Sequence, residues 1–190
     1  MAENPASGAH ITEGAAPATY SLAARALHWT TATLVLFMLP LGVIIAIKWD
    51  GPVKDWLYNL HRSIGAVIIP LIILRFAYRV THPPPPLPDD MPPIQQFAAH
   101  ATHLGLYALL VAQPFVGWIA TSAYPAPIPV FGLFELPPIW WADRALSDAL
   151  LRVHALIGAT IAGLVAMHIG AALYHHFVRR DGILTRMIGG

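Results

Sequence analysis

Residues 150–177 read LLRVHALIGATIAGLVAMHIGAALYHHF, an apolar run with His154 and His168 set inside it. A helix needs about 20 apolar residues to cross the hydrocarbon core of a bilayer, so this run reads as a membrane span. The two histidines are fourteen positions apart, 154 to 168. At about 1.5 Å and 100° per residue they stand about 21 Å apart and within about 40° of each other around the axis. Both imidazoles therefore leave one face of the helix, at two depths of one membrane. Ionisable groups inside a span are costly and mark function by default. The rest of the chain must supply what these two histidines meet.

Composition agrees with a membrane protein. Of 190 residues 56% are hydrophobic and 11% charged, against about 25% charged in a soluble domain. A net charge of +1 gives no basis for a nucleic-acid partner. The absence of cysteine excludes disulfides, iron–sulfur ligation and thioether-linked haem. Any haem must then be held non-covalently, through axial histidines.

Working back from that run, three more spans are expected. Residues 1–19 are small, polar and aperiodic and read as a disordered tail, without the charged start and apolar core of a signal peptide; residues 20–190 form one four-span domain. Span one covers about Ala26–Ile47, with His28 and Trp29 at its start. Span two covers about Leu57–Tyr78, with His61 and Arg62 near its start, and ends at the four prolines Pro83–Pro86, which cannot continue a helix. Span three, about Phe97–Ser122, opens with His100 and His103. The loop Ala123–Ser147 holds five prolines with Trp140 and Trp141, and is expected to lie as a lid on the membrane surface. The fold class is all-α, an integral membrane four-helix bundle.

Alternating spans are antiparallel, which assigns depths. His28 and His168 share the level near the chain termini, and His61 and His154 share the opposite one. Two histidine pairs at two depths suit bis-histidine ligation of two b haems between the helices. Four positions after each histidine stands a small residue, Ala32, Gly65, Gly158 or Ala172, on the same helix face, where a flat macrocycle needs room. Zinc would prefer a cluster of ligands at one level. Both termini fall on one side, which holds Arg25, Arg75, Arg79, Arg179, Arg180 and Arg186. Lys48, Lys54, Arg62, Arg144 and Arg152 fall on the other, and the bias places the termini in the cytoplasm. Arg62 and Arg152, beside ligand histidines, are candidates to pair with haem propionates.

The segments ALHW around His28, NLHRSIG around His61, HATHLGLY with QPFVGW, RVHALIG around His154 and MHIGAALYHHF together resemble bacterial cytochrome b561. That family of di-haem membrane proteins is related to the b-type subunits of nickel–iron hydrogenases and formate dehydrogenases. The likeness covers about Tyr20–Ile188. It implies one haem on His28 and His168 and another on His61 and His154, in the bacterial inner membrane. It further implies electron transfer between a periplasmic donor, superoxide in some members, and ubiquinone, or a relay role for a partner protein. His175 matches the family's quinone-proximal histidine and His103 a further one at the same level, which makes both the candidate catalytic residues. The charges of the outer loops balance, Lys48, Lys54, Arg62, Arg144 and Arg152 against Asp50, Asp55, Glu135, Asp143 and Asp148, so no strong field steers an anion there. A histidine-lined transporter and a haem-free anchor are the other classes open. No internal repeat or broken helix pair of the transporter kind is present.

Overall fold

The computed structural model describes residues 19–47 and 49–189. The expected tail, except for Thr19, lies outside the described residues. Four long helices follow in order, α1 Leu22–Ala46, α2 Pro52–Thr81, α3 Pro93–Ala123 and α4 Arg144–Tyr174. All four are long and apolar enough to cross a membrane, so the chain is a multi-pass, four-helix membrane protein.

α2 and α3 run past the expected spans at both ends, because hydropathy marks the hydrocarbon core and helices continue through the interface. α1 starts earlier, at Leu22, but ends at Ala46, and α4 starts earlier, at Arg144, but ends at Tyr174, three residues before Phe177. At 25–31 residues they are about 37–46 Å long, against about 30 Å of hydrocarbon. Their ends have local causes. Ser21 Oγ accepts the Ala24 N–H at 3.2 Å and starts α1. Pro52 and Pro93 sit in the first turns of α2 and α3, where a missing N–H costs nothing. Asp143 accepts the Leu146 N–H at 3.0 Å, so α4 begins at Arg144, inside the stretch expected to be loop as far as Ser147.

The seams are narrow. Val35, Leu41 and Ile45 of α1, Ile64, Ile68 and Ile72 of α2, Ala120 of α3 and Ile161 of α4 are buried. Large apolar side chains such as Phe37, Val43, Leu74, Leu104, Leu156 and Phe177 are exposed, as lipid-facing residues are. Consecutive helices pack together, while the backbone of α4 approaches α3 closely and stands off from α1 and α2.

The loop after α3 is held rather than tethered. It contains a short antiparallel hairpin, β1 Ile128–Val130 with β2 Phe134–Leu136, in the register Ile128 to Leu136. Its turn takes positive φ at Phe131 (51°) and Gly132 (72°), with the Leu133 N–H donating to the Val130 carbonyl at 2.9 Å. That is the primed turn whose twist matches a tight hairpin. Ile128 and Val130 are buried. Ser63 Oγ accepts the Phe131 N–H at 3.1 Å and lies 2.8 Å from the Pro129 carbonyl, and Arg62 donates to the Pro127 carbonyl at 3.2 Å. The hairpin is thus fastened to α2 two residues from His61.

Beyond α4 the chain makes one π-turn, His175–Arg179, and a short helix α5, Ile183–Ile188. α5 closes the terminal side. Trp29 donates to the Met187 carbonyl at 3.1 Å and Arg186 to the Pro86 carbonyl at 2.6 Å.

Candidate functional site

The four expected histidines face one another in the expected pairs. The rings of His28 and His168 have centroids 6.3 Å apart, and those of His61 and His154 are 6.1 Å apart. His28 and His61 reach α4 from α1 and α2, across the separation that those backbones keep. An iron held by two imidazole nitrogens at about 2 Å each needs ring centres about 6 Å apart. No group of three or more His, Asp or Glu suited to a metal ion occurs among the described residues.

The pair at the hairpin level fits an iron in detail. His154 Nδ1 donates to the Gln113 carbonyl at 3.1 Å. A carbonyl only accepts, so the proton is on Nδ1 and Nε2 keeps a free lone pair, the tautomer a metal-binding histidine adopts. Gln113 Nε2 in turn donates to the His154 carbonyl at 3.0 Å, locking α3 to α4 at this point. Gly117, one turn along α3, lets the ring in: a Cβ there would stand 3.0 Å from His154 Cε1. His61 Nδ1 is buried without a hydrogen-bond partner, and a Cβ added at Gly42 of α1 would meet His61 Cε1 at ordinary contact distance, 3.6 Å.

At the terminal level the same spacing comes with a different neighbour. Arg75 Nη2 lies 2.8 Å from His28 Nδ1, and a guanidinium can only donate. The proton of His28 is therefore on Nε2, and ligation through Nε2 requires Arg75 to withdraw. The Arg75 guanidinium also lies over the Tyr107 ring, at 5.3 Å.

The other expected residues divide. His103 is brought to His168, with ring centroids 5.3 Å apart. With Arg79 and His100 it also lines a cavity of about 370 Å³ walled by Pro84–Pro88. His175 does not line that cavity. Its Nδ1–H donates to Asp181 Oδ2 at 2.5 Å, and Arg179 Nε donates to the same oxygen at 3.2 Å. Arg62 is engaged with the hairpin, and Arg152 is exposed.

Gln113, Gly117, Arg75 and Asp181 escaped the sequence reading as site residues. Gln113 and Gly117 stand four apart within QPFVGW and so share one helix face, which was the available signal. Arg75 and Asp181 had none, since each acquires its role only from how its segment folds.

The chain is similar to known proteins over most of its length. Cytochrome b561 homolog 2 of Escherichia coli (strain K12) is 35% identical over 179 residues, 91% of this chain and 93% of that protein. The probable superoxide oxidase CybB of Yersinia pestis is 28% identical over 171 residues, 89% of this chain and 95% of that protein. Cytochrome b561 homolog 1 of Escherichia coli (strain K12) is 27% identical over 166 residues, 85% and 92% of the two chains. The profile of prokaryotic cytochrome b561 matches residues 19–190. A membrane-embedded chain with paired histidines whose spacing suits an iron, matched over nearly its whole length, belongs to the prokaryotic cytochrome b561 family, whose members carry b-type haem and transfer electrons in the membrane.

Proposed function

We propose that the chain holds two b haems and passes single electrons between a donor on the hairpin side and ubiquinone on the terminal side. The observation that carries this is the pair of facing imidazoles at each of two depths, 6.3 and 6.1 Å between ring centres. His28 with His168 is the terminal-side ligand pair, and His61 with His154 the other. Haem supplies reversible one-electron chemistry, its potential set by axial ligands and surroundings. The residues of the chain do the rest. Gln113 fixes the tautomer and plane of His154, and the exposed Arg152 and the remaining donors of Arg62 are placed for propionates.

Quinone is apolar and comes from the bilayer, while its reduction consumes two protons drawn from water. A site for it belongs at the interface, next to a ligand pair and a group that moves protons. His175 sits two turns beyond His168, with the lipid-facing Tyr174 and Phe177 beside it. An imidazole can both give and take up a proton, which suits His175 as proton donor to the quinone. His103, on the cavity wall beside His168, is the next candidate.

The terminal side is assigned to the cytoplasm of a bacterial inner membrane. Setting aside Arg75, inside α2 against His28, and Arg62 and Arg152, read as propionate partners, leaves Arg25, Arg79, Arg179, Arg180 and Arg186 on it against Lys48, Lys54 and Arg144 on the other side, the bias expected of a cytoplasmic face. Superoxide is the donor suggested by the name of the Yersinia pestis relative. A relay from a docked redox protein is the second reading, favoured by the exposed Phe131, Leu133 and Phe134 of the hairpin.

The test is stopped-flow kinetics on purified protein. Two haems per chain, reduction by superoxide and reoxidation by a short-chain ubiquinone are expected. His175→Ala should keep both haem spectra and slow reoxidation by about 10²–10⁴-fold, the usual worth of a general acid. One haem per chain, or unchanged reoxidation in that variant, would overturn the corresponding part.

A further inference from the structure

We propose that Asp181 is the positioning residue for His175, holding the imidazole in the tautomer and orientation from which Nε2 serves the quinone. This rests on the reading of His175 as proton donor. Three donors converge on the Asp181 carboxylate. Oδ2 takes the His175 Nδ1–H at 2.5 Å and Arg179 Nε at 3.2 Å, and Oδ1 takes the Ile183 N–H at 3.3 Å. The side chain of Asp181 is 8% exposed and that of His175 12%. Arg179 is anchored from outside by Asp90 at 2.9 Å, on the connector before α3.

The backbone is built to make this pair. On a regular helix a residue six positions on lies about 9 Å along the axis and about 240° around it, out of reach. Here the π-turn His175–Arg179 ends at Arg180 in the left-handed region, with φ of 55°, and Gly182 follows at 76°. The reversal brings Asp181 back, its N–H 3.4 Å from the His175 carbonyl. A bulky residue held in that region is strained, and such strain concentrates at functional sites.

The chemistry follows from the geometry. An ionised carboxylate only accepts, so Nδ1 of His175 must carry its proton and Nε2 is the nitrogen left to exchange one. In the transfer the Nε2–H bond breaks and an O–H bond forms on the quinone. The ring returns to neutral, keeping Nδ1–H on Asp181, and water restores the Nε2 proton. The electrons would come one at a time from the haem that His28 and His168 would hold. Asp181 compensates the positive ring before transfer and prevents it from turning, as a carboxylate does for the imidazole of a hydrolase triad.

The experiment is single-turnover reoxidation of the full-length holoprotein by short-chain ubiquinone, in His175→Ala, Asp181→Asn, Asp181→Glu and the double variant His175→Ala with Asp181→Asn. Asp181→Asn should slow reoxidation at least about 10-fold with both haem spectra intact. Asp181→Glu, which restores the charge, should recover most of the rate. The double variant should match His175→Ala alone, since residues acting as a unit are not additive. A wild-type rate in Asp181→Asn beside a slow His175→Ala would overturn the role of Asp181 and leave His175 standing. An additive loss in the double variant would make Asp181 a structural latch only. A wild-type rate in His175→Ala would remove the proton donor itself, and the positioning role with it.

Discussion

Gly117 has no side chain, and the ring of His154 occupies the space that this leaves. A Cβ placed there would meet His154 Cε1 at 3.0 Å and Nδ1 at 3.3 Å, closer than a well-ordered ring tolerates. Gly117→Ala is therefore expected to push the imidazole off its line to His61 and lower the content of that haem, leaving the His28–His168 haem in place. Haem content and reduced-state difference spectra measure this. Gly163→Ala, also on α4, makes the control, because a Cβ there would meet nothing within 4 Å. At Asp181 the relevant lever is acid. Burial alone would raise its carboxyl, but the hydrogen bonds from His175, Ile183 and Arg179 outweigh this and hold it below its ordinary 3.8. A depressed carboxyl lends stability above the unfolded value and loses it as pH falls through the folded one. Thermal melts should therefore show wild-type protein losing stability below about pH 4, with a shallower decline in Asp181→Asn. Equal slopes would contradict the assignment.

Among the elements, the hairpin after α3 hangs on Ser63 Oγ, which takes the Phe131 N–H and lies against the Pro129 carbonyl. Ser63 is 3% exposed, so Ser63→Ala leaves buried backbone groups without a partner, at about 1–3 kcal/mol. Faster proteolytic cleavage within residues 124–142, with the helices intact, is the expected outcome. None of this hairpin was visible in the composition. Its strands are three residues each, too short to show a period, and its prolines argue against pairing until Ser63 supplies the register. The four helices were legible for the opposite reason. Lipid demands long apolar runs with satisfied backbones, and those leave an unmistakable trace. α5 was not, because six residues carry too little pattern, and what holds them is Trp29 and Pro86, 100 or more positions away.

Over the whole molecule the histidine pairs were readable because helix periodicity and antiparallel order fix depth without any knowledge of packing. Their supports were not, since Arg75 and Gln113 depend on how each helix is rotated, and Asp181 on a break in helical phase. The pairs share no ligand. His61→Ala or His154→Ala should remove one haem and spare the other, and His28→Ala or His168→Ala should do the reverse. If His61→Ala and His168→Ala lost the same spectral component, the pairing would be wrong. Both pairs nevertheless draw one member from α4, the last of the four spanning helices in chain order, and the first helix is tied to α5 through Trp29 and Met187. Three helices already inserted can own His28 and His61 and still present no complete ligand set. On the ligand pairs proposed above, neither haem would find both its ligands before α4 is made, and a chain interrupted before Arg144 is expected to stay colourless, open to degradation and unable to leak electrons.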